Sequence, residues 1–104
     1  MNKRSDGIAN RVNEITTELL VPIRSSKTIN KEAFDELYLL LDEVKKLVKG
    51  KEDISRKLAG LLFFIYTTIS AEAEHVNYQN PLFIEVGRLE DYLGKILWDS
   101  PFGK

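Results

Sequence analysis

The sequence predicts an all-α fold, an antiparallel up-down-up-down four-helix bundle, and three observations lead there. Apolar residues recur at spacings of three and four in four separate segments, the signature of amphipathic helices. No stretch alternates apolar and polar residues between tight-turn signals, as half-buried strands would. The connections between the segments are short, which favours helices that double back on one another. The 104 residues, 43% of them hydrophobic and 30% charged, suit one domain with one core.

The first helix is predicted over residues 6–21, where Ile8, Val12, Ile15 and Leu19 share a face. Pro22 lacks an N–H and disfavours helix in the residue before it, so the helix is expected to stop there and 23–29 to connect. Asn30 is a good N-cap for a second helix, over 30–49, and Ile29 with Phe34 has the spacing of a hydrophobic staple. Its inward stripe is Phe34, Leu37, Leu41, Val44 and Val48, widened by Tyr38, Leu40 and Leu47. Gly50 reads as the stop, after Lys45, Lys46 and Lys49, which suit a helix C-terminus.

The third helix, over 54–75, is expected to be capped by Asp53 and to turn Ile54, Leu58, Leu61, Ile65 and Ile69 inward. Leu62, Phe63, Phe64 and Tyr66 make its middle apolar nearly all round, as suits a helix with two neighbours. Asn80-Pro81 opens the fourth, over 81–98, because proline in the first turn forfeits no hydrogen bond. Leu82, Val86, Leu89, Leu93 and Ile96 form its seam. No internal repeat or low-complexity tract interrupts the chain.

Composition excludes several function classes. A net charge of −1 gives no electrostatic reason to expect nucleic acid. The lysines and arginines, denser before residue 52, are interleaved with Glu14, Glu18, Asp35, Glu36 and Glu43, which argues against a basic amphipathic helix lying on a membrane. The longest apolar run, 58–69, is broken by Gly60, Thr67 and Thr68 and is shorter than the about 20 residues of a span. With no cysteine there is no disulfide framework or thiol chemistry, and the polar first ten residues lack a signal-peptide core. A cytoplasmic location without stable membrane insertion is expected.

Catalytic chemistry finds little support. Glu72 and His75 have the Glu-x-x-His spacing of half a di-iron site, but the second half is missing because His75 is the one histidine. No nucleophile elbow or phosphate loop is present. An enzyme working through converging Arg11, Arg24, Arg56 and Arg88 is the remaining possibility, and surface roles explain those residues more simply. No catalytic residue, cofactor or metal is therefore assigned.

Gly60, Gly87 and Gly94 stand inside predicted helices, where each costs about 1 kcal/mol relative to alanine. Gly87 and Gly94 are seven apart and share a face. The plainer reading is close helix approach; the functional one is a notch beside Phe63, Phe64 or Tyr66 that accepts a partner's side chain. Trp98 and Phe102 either cap the core or anchor an interface.

The run Leu61-Leu62-Phe63-Phe64-Ile65-Tyr66-Thr67, followed by Tyr78-Gln79-Asn80-Pro81-Leu82 and then Leu89 with Gly94, resembles the second half of the enterocin A immunity protein family. These small cytosolic proteins protect producers of pediocin-like bacteriocins. The resemblance implies a non-enzymatic bundle that recognises the mannose phosphotransferase permease from inside once the bacteriocin has engaged it. Specificity in the family lies mainly in the C-terminal half. By position this implies partner-binding candidates Phe63, Phe64, Tyr66, Tyr78, Trp98 and Phe102, alongside the notch residues Gly87 and Gly94. The family's namesake carries a C-terminal tail that contributes to specificity, whereas six residues follow Trp98 here. That leaves open recognition through helix faces or a different target bacteriocin. The competing expectation is an adaptor that takes a partner's helix in an apolar groove.

Overall fold

The computed structural model describes residues 3–77 and 79–98. They form four helices, α1 (Lys3–Ser26), α2 (Lys31–Val48), α3 (Arg56–Ala73) and α4 (Pro81–Leu97), with no strand among the described residues. One core runs through all four, built on Val12, Ile15, Leu19 and Ile23 from α1, Phe34, Leu37 and Leu41 from α2, Leu58, Leu62, Ile65 and Ile69 from α3, and Leu82 and Leu89 from α4. The fold is the all-α four-helix bundle that the stripes predict.

The first helix is longer than expected, because it passes through Pro22. A proline inside a helix costs about 3 kcal/mol. Continuing places Ile23, four residues after Leu19, fully in the core, and burying such a side chain contributes about 1.5–3 kcal/mol. The helix stops where Lys27 adopts φ 57. The N–H of Thr28 and the hydroxyls of Ser26 and Thr28 all donate to the Pro22 carbonyl, at 3.1, 3.1 and 3.3 Å. These bonds satisfy one of the free carbonyls of the last turn.

The second helix begins as expected, with Asn30 Oδ1 accepting from the Ala33 N–H at 3.2 Å. It ends at Gly50, whose φ of 73 favours glycine. Ser55, not Asp53, caps α3: its Oγ accepts from the Leu58 N–H at 3.3 Å, while Asp53 stays exposed in the connection and Ile54 packs on the core from there. The buried stripe of α3 is Leu58, Leu62, Ile65, Ile69 and Ala73, so Leu62 takes the central place expected of Leu61, which is half-buried. In α4, Asn80 accepts from the Leu82 N–H at 2.9 Å. Leu82, Leu89 and Ile96 are buried, and Val86 and Leu93 flank them at half exposure.

Directions follow from the cross-helix bonds. Lys57 donates to Asn10 near the starts of α3 and α1, and Lys27 to Glu72 near their ends, so these two helices run parallel. Tyr38 with Glu85 and Asp42 with Tyr92 make α2 and α4 parallel too. Arg11 with Glu36 and Arg4 with Glu43 run α1 antiparallel to α2. Directions therefore alternate along the chain, but each of α1 and α4 packs on both α2 and α3, while α1 and α4 do not touch. The ring order is α1, α2, α4, α3, and the 49–55 connection crosses the bundle end along a diagonal.

Candidate protein-contact surface

The exposed apolar residues of α3 and α4 are placed by two facts: α3 has more apolar residues than one seam can hold, and α4 has three, Phe83, Ile84 and Leu97, outside its seam. The bond from the Tyr66 hydroxyl to Glu90, 2.7 Å, fixes their antiparallel register. With equal rise on both helices, Phe63 lies level with Leu93 and Gly60 with Ile96. At that half of the pair Phe63 is 66% exposed, Phe64 49%, Leu97 47% and Trp98 68%. Toward the other end, Phe83 and Ile84 are also exposed.

Of the sequence candidates, Phe63, Phe64 and Trp98 thus lie on the surface and not in the core. Tyr66 is half-buried with its hydroxyl engaged by Glu90, whose acceptance of that hydrogen raises the phenol above its ordinary range. Tyr78 and Phe102 lie outside the described residues. Leu97, Phe83 and Ile84 were not singled out from sequence, although Phe83 and Ile84 follow the inward Leu82 directly and so fall off its stripe.

The glycines correct the expectation of close helix approach. A Cβ built on Gly60, Gly87 or Gly94 meets nothing within 4 Å, and all three are exposed. They are gaps in the outer surface of α3 and α4. Along α4, Phe83, Gly87, Glu90, Gly94 and Leu97 follow spacings of four, three, four and three, one continuous face in which small residues alternate with large. Glu90 on this face meets Tyr66, so the notches open beside α3.

A polar ladder that the stripes do not reveal holds α4 against α2. Tyr38 and Tyr92 stack with centroids 5.2 Å apart and planes 16° from parallel. The Arg88 guanidinium lies 4.2 Å from the Tyr38 ring centre and the Lys45 ammonium 4.9 Å from that of Tyr92. Tyr38 donates to Glu85 at 2.6 Å and Tyr92 to Asp42 at 3.0 Å. Burial, then the Glu85 carboxylate, push the Tyr38 hydroxyl far above its usual range. Burial, then Asp42, push Tyr92 in the same direction. Stacking, cation–π contact and charge-assisted bonds together fix the rotation of α4 and hence its outward face.

Among the described residues, the Glu72–His75 pair and the four arginines considered from sequence do not gather into one site. Glu72 is held by Lys27, which keeps its carboxyl below the ordinary range, and His75 lies beyond the helix end. Among the described residues no three His, Asp or Glu side chains gather as a metal site requires. The four arginines are dispersed: Arg11 pairs with Glu36 and Glu14, Arg88 covers Tyr38, and Arg24 and Arg56 lie at opposite ends of the parallel pair α1 and α3. No helix is long and apolar enough to cross a membrane among the described residues. No known protein family, curated protein or solved structure matches the chain.

Proposed function

We propose that this protein is a bacteriocin immunity protein of the enterocin A type, acting by contact and without catalysis. In this reading it works in the cytoplasm and recognises the mannose phosphotransferase permease engaged by a pediocin-like bacteriocin. The observation that carries the contact part is the exposure of Phe63, Phe64, Leu97 and Trp98 on the half of the α3–α4 pair that holds the open position of Gly94, with that of Gly87 farther along the same face of α4. Solvent-exposed aromatics gathered with apolar neighbours mark interaction surfaces. The resemblance of 61–67 and 78–82 to the immunity family supplies the identity of the partner.

A second reading is favoured by the same notches: a helical adaptor that seats a partner's helix along Phe83, Gly87, Gly94 and Leu97, where the missing side chains permit close backbone approach. Expression in a bacteriocin-sensitive strain separates the two. Immunity predicts survival against at least one pediocin-like bacteriocin, and a chimera carrying 53–104 on the first half of a relative transfers that protection. Phe63→Ser and Trp98→Ser reduce it while leaving the urea midpoint near wild type, since both side chains are exposed. Specificity that follows the first half rejects this surface, and no protection across a broad panel of such bacteriocins rejects immunity in favour of the adaptor.

A further inference from the structure

A cleft of about 560 Å³ opens at the end of the bundle where α2 and α4 finish and the 49–55 connection crosses. Its apolar lining comprises Val48, Ile54 and Ile96, which are buried or half-buried, and Leu97 and Trp98, which are exposed. Of its six charged lining residues four are lysines, Lys45, Lys49, Lys51 and Lys95, against Glu52 and Asp53. Lys45 and Lys95 reach Asp42 and Asp91 on their own helices, at 3.6 and 3.1 Å. Lys49 and Lys51 are exposed and enter no ion pair among the described residues. The opposite end is mixed: Glu32, Asp35, Glu72 and Glu74 stand there beside Arg24, Lys27 and Lys31, with Lys27 paired to Glu72 and Lys31 to Asp35.

We propose that this end of the bundle docks on an anionic lipid surface, with the lysines over headgroup phosphates and Trp98 and Leu97 at the boundary between headgroups and acyl chains. An anionic bilayer satisfies both features at once: its surface potential attracts clustered lysines, and its interface takes an indole and a leucine that water does not favour. Lysine stems also cover apolar surface while their ammonium groups reach outward. A free phosphate matches the lysines but leaves Trp98 and Leu97 in water. Orientation follows from pairing: Lys27 and Lys31 at the far end are held by Glu72 and Asp35, whereas Lys49 and Lys51 enter no ion pair among the described residues. The contact is peripheral. It does not rest on the immunity reading, which concerns a protein receptor.

Trp98 is the single tryptophan of the chain, so its fluorescence reports on the proposed contact directly. Vesicles of phosphatidylcholine mixed with phosphatidylglycerol should shift its emission to the blue and allow quenching by brominated acyl chains, whereas phosphatidylcholine alone should do neither. Added salt should reverse the shift, because the attraction is screened over about 8 Å at physiological ionic strength. Lys49→Gln and Lys51→Gln should each weaken partitioning about fivefold, the effect of about 1 kcal/mol per lysine near an anionic membrane. Both positions are exposed, so circular dichroism should be unchanged.

Absence of a shift on anionic vesicles overturns the proposal, and so does equal partitioning of the double variant and wild type. A shift produced by inorganic phosphate or by an acidic peptide, but not by vesicles, replaces the lipid with that ligand. None of these outcomes bears on survival in the bacteriocin challenge, so the two readings fail separately.

Discussion

Replacing Gly87 and Gly94 by alanine together should make the protein more stable and less able to protect. In an exposed helix interior alanine is favoured over glycine by about 1 kcal/mol, through the smaller loss of backbone entropy. The new methyl groups meet nothing within 4 Å, so no clash offsets that gain. The two sites are seven residues apart, about 10 Å along the axis at 1.5 Å per residue, and their effects should add to about 2 kcal/mol. For a domain of this size each 1 kcal/mol raises Tm by about 4–8 °C, so the double variant should melt roughly 8–16 °C higher. Circular dichroism against temperature and urea reads this directly. The same methyl groups fill the notches, and survival in the bacteriocin challenge should fall despite the added stability. A lower Tm would refute the open geometry and restore close helix approach. A stabilised variant with full protection would show that no partner uses the notches.

Leu62→Ala should destabilise by about 2–5 kcal/mol, the cost of truncating a fully buried leucine. Leu61→Ala, at a half-buried position, should cost clearly less, and the reverse order in urea titrations would mean that α3 is rotated about its axis. At acid pH, Arg11 holds the Glu36 carboxyl below its ordinary value of 4.5, and Lys27 does the same for Glu72. The unfolded chain then binds more protons than the folded one just below that value, so stability present above it should fall as pH drops through the folded pKa. Urea midpoints measured across this window should decline, and Glu36→Gln should flatten the decline. Tyr38 behaves oppositely: its folded pKa is raised from 10.0, so its contribution should persist below pH 10 and fade above it. An alkaline limb unchanged by Tyr38→Phe would contradict the burial of that hydroxyl against Glu85.

Element type and the apolar faces of α2 and α4 were readable because a single strong period dominates each segment, and Asn30, Gly50 and Asn80-Pro81 punctuate them locally. The end of α1 was not readable. Pro22 argues for a stop on local grounds, and only the burial of Ile23 against other helices overrides it. On α3 the sequence offers both Leu61 and Leu62, because a helix wedged between α1 and α4 has apolar residues on either side of its true seam. The ring order is likewise invisible in the stripes, which say that a helix is buried on one side and not by which neighbour. The candidate surface was half legible. Surplus aromatics at 63 and 64 pointed to it, but whether Gly87 and Gly94 face a helix or solvent depends on the rotation of α4. That rotation is set by Tyr38, Tyr92, Arg88 and Glu85, residues whose mutual reach appears only in three dimensions.

The diagonal crossing at 49–55 has a kinetic meaning. Each helix pair joined by a short connection, α1 with α2 and α3 with α4, forms contacts after closing a small loop, and local closure is fast. Contacts between the pairs all bridge nearly the same length of chain, with separations of 45, 47, 47 and 50 residues for Lys27–Glu72, Asn10–Lys57, Tyr38–Glu85 and Asp42–Tyr92. Because closure entropy grows only with the logarithm of loop length, no one of these long-range contacts has a head start over the others. Topology of this kind favours early pairing of α1 with α2 and of α3 with α4, and leaves the docking of the two pairs as the step that closes the long loops.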